Sequence, residues 1–252
     1  PYDALTRVTD VRCPRTVDGR RPQLRATFNR AGAVERIAVD GSTVVEHVAY
    51  TADGAPTLVA LGNGVLTRHA YDPRTFRVVR SRSERYTAVG GARYRPFGPP
   101  LLDVAYRHDV VGNVTQAVER TPGCGVRANP EAGQIADPQL RALVAQGDAL
   151  LRRFGYDPFN QLVSATGRRC LGPAPPQPWT DGPVCGFNGP NQANAPALTA
   201  VYTETYGYDS VGNLSRSRRQ VAGSASVAEF TPSAGSNRLA ALTVGSLEFR
   251  YT

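Results

Sequence analysis

The chain has 252 residues, of which 41% are hydrophobic, enough for one large all-β domain or two smaller ones. Its 25 Gly and 20 Pro predict frequent turns and few long helices, and the absence of any run of 18 apolar residues argues against a transmembrane helix. The net charge is +8, but the basic residues are all Arg and are interleaved with Asp and Glu, which argues against nucleic-acid binding. The chain contains no Met, and we expect it to be an excised stretch of a longer protein.

A Tyr-Asp turn signature recurs along the chain. Its fullest copy is YGYDSVGNL at residues 206–214, which contains Asp209. Looser copies place the equivalent residue at Asp3, Asn29, Thr51, Asp72, Asp109 and Asp157. The first four copies are 21 to 26 residues apart and the later ones 37 to 52. Because a repeated unit buries its apolar face only against its neighbours, the repeat predicts a large built surface rather than a compact active site.

Alternating apolar residues predict that each repeat unit is a β-hairpin. In chain order, the predicted strands include residues 34–39, 58–61, 65–71, 102–108, 162–165 and 247–251. In the fourth of these, we expect one face to carry Leu102, Val104, Tyr106 and His108, and the other Asp103, Ala105 and Arg107. Gly112-Asn113 and Gly212-Asn213 supply residues that tolerate positive φ, which tight hairpin turns require.

The wider spacings predict two insertions, at about 117–153 and 167–200, within one repeat segment spanning residues 1–252. The first insertion contains a predicted helix that covers part of the sheet, with Asp137 as its N-cap and Pro138 in its first turn. Its apolar stripe runs from Leu140 to Leu151, and Gly147 weakens its middle. The second insertion is rich in Pro, Gly and Asn, contains Trp179, and is predicted to lack regular structure.

We expect the repeated residues to have structural roles. Each Asp is expected to accept hydrogen bonds from backbone N–H groups in its own turn, as predicted for Asp3, Asp72, Asp109, Asp157 and Asp209. A Tyr at a strand end is expected to stack on its counterpart one unit away. This stacking is predicted for Tyr2, Tyr71, Tyr106, Tyr156, Tyr206 and Tyr208.

No pattern typical of an enzyme or a cofactor site is present, since the chain lacks a P-loop, a GxSxG and an HExxH motif. We therefore expect no catalytic, cofactor-binding or metal-binding residues. The four cysteines are Cys13, Cys124, Cys170 and Cys185, and none forms a CxxC pair. The sequence fits two redox states of the cysteines equally well. Either Cys170 and Cys185 form a disulfide in an oxidising compartment, or all four cysteines are unpaired thiols.

The unit YxYDxxGN is similar to the signature of the Rhs/YD-repeat proteins. Several segments, in the same order, resemble the B component of the bacterial insecticidal toxin complexes known as Tc toxins. These segments are GNGV at 62–65, YDPRTFR at 71–77, LLDVAY at 101–106, DVVGNV at 109–114, LVSATGR at 162–168, YTETY at 202–206 and SNRL at 236–239. The resemblance covers essentially the whole chain.

The resemblance implies one long antiparallel sheet that spirals as part of a hollow shell. In the family, this shell is completed by a C component, encloses that component's toxic C-terminal segment, and docks on a pore-forming A component. The resemblance thus implies a secreted bacterial shell segment without cofactors, nucleic-acid binding or direct membrane insertion. The family's propeller, N-terminal domains and self-cleaving aspartyl site are not matched, and we assign no protease role to Asp72 or Asp157. Thr51 replaces an Asp and His108 a Tyr, which predicts looser turns there.

Two other functions fit the sequence. A surface adhesion or carbohydrate-binding segment is the first, since other YD-repeat wall proteins have such roles. An enzyme with a site built from the insertions around Trp179 is the second, and only the length of that loop favours it.

Overall fold

A computed structural model describes residues 1–170 and 199–251. Its strands form one antiparallel sheet of sixteen strands in chain order, which confirms the predicted all-β fold. The strands are β1 Asp10–Arg12, β2 Gln23–Phe28, β3 Val34–Val39, β4 Ser42–Tyr50, β5 Pro56–Leu61, β6 Val65–Tyr71, β7 Val78–Ala88, β8 Tyr94–His108, β9 Val114–Glu119, β10 Leu150–Tyr156, β11 Leu162–Cys170, β12 Thr199–Tyr208, β13 Leu214–Val221, β14 Ser224–Pro232, β15 Leu239–Val244 and β16 Leu247–Arg250. A 3₁₀ helix, Pro130–Gln134, and one α-helix, α1 Pro138–Gln146, accompany them.

The strand pairing repeats a small irregularity just before five of the turns in the Tyr-Asp repeat and before one later turn. The register shifts by one residue between Gly155 and Tyr156, and the same shift occurs between Gly207 and Tyr208. Equivalent shifts precede Phe28, Tyr50, Tyr71 and Pro232. A bulge of this kind bends the strand and increases its local twist. The irregularity therefore recurs with the repeat, at the point where a strand enters its turn.

The first of two compact units spans Pro1–Val104. Its buried apolar residues are small in number and include Ala60 and Leu66 on neighbouring strands. In β8, the strand predicted to alternate, the carboxylate rather than the neighbouring leucine is buried, since Asp103 is 3% exposed and Leu102 is 40% exposed. Asp103 tolerates burial because arginine side chains neutralise it, as described below.

The second compact unit spans Ala105–Thr252 and contains the helical insertion. Here α1 and the 3₁₀ helix pack against β9, and their core comprises Val118, Ala132, Ile135, Leu140, Val144 and Ala149. Asp137 caps α1 as predicted, accepting hydrogen bonds from the N–H groups of Gln139 and Leu140. The predicted stripe was too long, however. Gly147 adopts the left-handed conformation and ends α1, so Leu150 and Leu151 begin β10 instead.

Both predicted insertions connect strands at the end of the sheet opposite the Tyr-Asp turns. The strands extend further into them than expected, since β9 ends at Glu119, β11 ends at Cys170 and β12 begins at Thr199. Most of the second insertion, with Trp179 and Cys185, lies outside the described residues. In the described part of the chain, no helix is long and apolar enough to cross a membrane.

Candidate functional site in the Tyr-Asp turns

Six of the turns share one hydrogen-bonded geometry. In each, the backbone N–H of the first residue donates to the carbonyl oxygen of the fifth at 2.8 to 3.0 Å. The side-chain oxygen of the first residue accepts a hydrogen bond from the N–H of the fifth, also at 2.8 to 3.0 Å. The first residues are Asp3, Asn29, Thr51, Asp109, Asp157 and Asp209. One short polar side chain therefore closes each turn by satisfying backbone donors, as the repeat predicts.

Thr51 closes its turn as tightly as the aspartates do. Its Oγ1 accepts from the N–H of Ala55 at 2.9 Å, so the looser geometry expected there is not observed. The turn at Asp72 differs instead. It has one extra residue, because Asp72 N–H donates to the carbonyl oxygen of Arg77, and Asp72 Oδ1 accepts from the N–H groups of Arg74 and Thr75.

The fourth residue of the five-residue turns is left-handed. Gly112 and Gly212 have φ of 115° and 90°, which explains the glycine of the signature. The same position has positive φ at Thr6, Gly32, Gly54 and Asn160. Asn113 and Asn213 do not have positive φ, so the role predicted for them is wrong. Their amides act instead, donating to the second oxygen of Asp109 and Asp209 at 2.9 Å.

The turn carboxylates are stabilised in their charged form. The Arg7 side chain lowers the pKa of Asp3 by donating to it. Hydrogen bonds from the side chain and backbone of Asn213 lower the pKa of Asp209. At Asp109, partial desolvation raises the pKa, but hydrogen bonds from Asn113 and the N–H of Gly112 outweigh it, and the net pKa is lowered. Backbone donors from Thr75 and Arg74 lower the pKa of Asp72. These aspartates are thus acceptors at neutral pH.

The last tyrosine of a unit ties that unit to the preceding one. Its hydroxyl donates to the carbonyl oxygen of the residue that follows the preceding turn. The four pairs are Tyr50 to Val34 at 2.6 Å, Tyr71 to Pro56 at 2.8 Å, Tyr156 to Val114 at 3.1 Å and Tyr208 to Leu162 at 2.9 Å. We call these bonds the tyrosine tethers. In each case the acceptor lies directly after a five-residue turn, so the tether repeats with the unit.

The predicted stacking of repeat tyrosines is replaced by these tethers. In the described residues, ring pairs form at Tyr94, which contacts Tyr86 edge-on and stacks on His47. Tyr206 donates to Glu204 at 2.6 Å, and desolvation together with this hydrogen bond raises its pKa to about 12. Tyr2 is 70% exposed beside the first turn, and Tyr106 lies in β8. Phe28 lacks a hydroxyl, and the guanidinium of Arg7 covers its ring at 4.5 Å.

Successive turns also touch through their fifth residues. The amide of Asn113 donates to Asn160 Oδ1 at 2.9 Å, and that of Asn213 donates to Asn237 Oδ1 at 3.2 Å. Gln161 also lies close to Gly212: a Cβ atom added at Gly212 would be 3.0 Å from the Nε2 of Gln161. Asn237 belongs to an eighth turn, which begins at Ser233 and is not predicted by the Tyr-Asp signature because Pro232-Ser233 stands in its place. The signal that was available is the run of turn-forming residues SAGSN at 233–237, in which Gly235 has a positive φ of 76°.

The groups most often used in catalysis are dispersed. His47, His69 and His108 lie in β4, β6 and β8. Cys13 and Cys124 are unpaired, and burial raises the pKa of the Cys124 thiol to about 12. The proposed Cys170–Cys185 pair lies outside the described side chains. Among the described residues, no group of three or more His, Cys, Asp or Glu side chains is arranged to hold a metal ion.

The fold and the turns define a repeat protein whose hairpins are linked edge to edge in a single sheet. No family model matches the chain. In sequence the chain is 28% identical to toxin subunit YenC2 of Yersinia entomophaga over 209 residues, which cover 81% of the chain. It is also 28% identical to toxin subunit YenC1 of the same organism over 235 residues, which cover 78% of the chain. The chain spans about a fifth of the length of these relatives, 19% and 20%.

Solved structures with the same fold are Tc toxin assemblies. The Photorhabdus luminescens Tc holotoxin pore matches 98% of the chain and 10% of its own chain, with a TM-score of 0.61 and 21% identity. The TcdB2–TccC3–Cdc42 structure matches 88% of the chain and 10% of its own, with a TM-score of 0.58 and 20% identity. The chain is therefore similar in sequence to toxin subunits and has the sheet fold found in Tc toxin structures.

Proposed function

We propose that this chain is a wall segment of a Tc-like toxin shell that encloses a toxin polypeptide before its translocation. The wall acts by containment and has no enzyme activity. Strand-to-strand hydrogen bonds make it continuous, so that the enclosed chain is separated from solvent and from proteases. The protein that contains this segment would be secreted from a bacterium.

The observation that carries this proposal is the unbroken order of strands, each hydrogen-bonded to the next, with tethers and turns repeated along it. A compact enzyme or binding domain does not require this repetition, whereas a wall does. The sequence similarity to two toxin subunits and the shared fold with Tc assemblies support the same role.

The component to which the segment belongs is a finer part of the proposal. The motif resemblance favours the B component, whose partners would be a C component with its toxin cargo and a pore-forming A component. The two curated relatives bear the names YenC2 and YenC1. A B component contributes wall alone, whereas a C component also carries the cargo on its own polypeptide. The mass of the native polypeptide and of any fragment cleaved from it distinguishes the two.

Limited proteolysis of the full native protein, co-expressed with the product of the adjacent gene, tests the proposal. The intact assembly is digested with a nonspecific protease, and the surviving fragments are identified by mass spectrometry before and after denaturation. A separate polypeptide that survives until the assembly is denatured supports containment. Survival of the repeats without any protected second segment overturns it and favours a surface role, which binding to a glycan array then examines.

A further inference from the structure

Three arginines and two buried carboxylates form a charged cluster on one face of the first compact unit. Glu84 and Asp103 are each 3% exposed, and Arg68, Arg80 and Arg82 surround them. Arg80 donates two hydrogen bonds to Asp103: its Nε lies 2.7 Å from Oδ1, and its Nη2 donates to Oδ2. The guanidinium nitrogens of Arg82 lie 2.8 Å from a carboxylate oxygen of Glu84 and 3.5 Å from one of Asp103. Arg68 forms a further ion pair with Glu84.

The cluster has one more cation than its carboxylates need. Arg80 and Arg82 suffice to neutralise Asp103 and Glu84, yet Arg68 lies directly opposite Arg82 in the strand pairing. Like charges facing each other across two strands are destabilising. By contrast, among the described residues Glu204 is paired with a single arginine, Arg219. The third arginine therefore exceeds the structural requirement, and the cluster carries a net charge of about +1 at neutral pH.

The cationic side of the cluster is the side that faces solvent. The arginine side chains are 33 to 48% exposed, whereas the carboxylates are 4 to 5% exposed. These arginines, with His69 and Ala70, line a hollow of about 240 Å³. The Nε of Arg82 is buried and has no hydrogen-bond partner. Because this nitrogen is covered by protein atoms, the exposed guanidinium nitrogens are the ones that an anion in the hollow would contact.

We propose that this hollow binds the carboxylate groups of an extended acidic polypeptide segment. Arg80 and Arg82 are alternate residues of β7, so they repeat at about 6.6 to 6.8 Å, which is also the spacing of alternate side chains in an extended peptide. A guanidinium group has five N–H donors, and Arg80 directs two of its nitrogens at Asp103, so donors remain for a second carboxylate. A nucleic acid fits less well, because the net charge is small and two carboxylates lie beneath the arginines. The site does not depend on the proposed shell role.

Fluorescence anisotropy with the complete 252-residue chain and a fluorescein-labelled hexaglutamate peptide tests the site. Arg68→Gln leaves both buried carboxylates paired, so the fold is retained, and we expect the dissociation constant to rise about fivefold. Arg85→Gln is the matched control, since Arg85 is exposed on the opposite face of β7 and its replacement changes the net charge equally. Its dissociation constant should stay within about twofold of the original.

Three results would overturn the proposal. Equal weakening by Arg68→Gln and Arg85→Gln would mean that the peptide responds only to the overall charge of the chain. Unchanged affinity in both variants would mean that the hollow does not bind the peptide. Stronger binding of a single-stranded oligonucleotide of equal charge would assign the cluster to nucleic acid. If circular dichroism shows that Arg68→Gln is unfolded, Arg68→Lys replaces it, and reduced binding with an intact fold supports recognition by the guanidinium.

Discussion

The hydroxyl of Tyr208 donates to the carbonyl oxygen of Leu162 at 2.9 Å, across 46 residues of sequence. Leu162 is also the residue that pairs with Tyr156, the equivalent tyrosine of the preceding unit. Each tether therefore ends on the backbone carbonyl oxygen of the first residue after the preceding unit's turn. This arrangement links successive hairpins through a side chain in addition to their backbone ladders, and it converts a local sequence signature into contact between units.

Removing a tether should weaken the sheet without changing its fold. We expect Tyr208→Phe and Tyr156→Phe each to lower the free energy of unfolding by about 0.5 to 1.5 kcal/mol, because each loses one net hydrogen bond while keeping its ring. Urea denaturation followed by circular dichroism measures the change. Tyr251→Phe is the control, since that side chain is half-exposed at the end of the sheet and should have no effect. Equal stability of Tyr208→Phe and the original chain would count against the tether.

The stability of the chain should depend on which residue occupies the fourth position of a turn. At Gly212, where φ is 90°, we expect Gly212→Ala to cost about 1 to 2 kcal/mol because alanine is strained in the left-handed region. Gly212→Asn should cost less, since Asn160 occupies this region in the neighbouring turn. Thermal denaturation compares them with Gly207→Ala, whose new Cβ would meet only ordinary contacts at 3.7 Å. Identical losses at Gly207 and Gly212 would show that the turn conformation is not the cause.

Acid should destabilise the turns. The pKa values of Asp3, Asp72, Asp109 and Asp209 are lowered in the folded chain, so the unfolded chain binds more protons as the pH falls. Their contribution to stability is present above the unfolded pKa of about 3.9 and is lost as the pH falls through the lower folded values. Urea titrations at a series of pH values should show this loss. Asp109→Asn should reduce the pH dependence, and an unaltered dependence would exclude Asp109 as a source.

Alkaline titration should identify Tyr206. Its pKa is raised to about 12 by desolvation and by its hydrogen bond to Glu204, compared with an ordinary value of about 10. Because the fold favours the neutral phenol, its contribution is complete below about pH 10 and is lost as the pH rises through 12. Tyrosinate absorbance measures the titration. Glu204→Gln should lower the pKa only partway, since desolvation remains, and no change at all would contradict the assigned hydrogen bond.

The sequence alone determined the features that depend on neighbouring residues. The Asp turns, the glycine at Gly112 and Gly212, the N-cap at Asp137 and the strand periodicity follow from local backbone chemistry, which a few adjacent residues control. For the same reason, the sequence identified the all-β fold. It did not locate the end of α1, because Gly147 was assigned to the helix interior rather than to its left-handed cap.

Only the tertiary structure decided which distant groups meet. The tethers join residues as far as 46 positions apart, and the burial of Asp103 depends on Arg80, which lies on the neighbouring strand 23 positions away. Such partners depend on the register of strand pairing and on where each bulge falls, and a one-residue shift would change every contact. The repetition of the tyrosines therefore indicates that they are important. It does not indicate their hydrogen-bond partners, because these are backbone carbonyl oxygens, which every residue has.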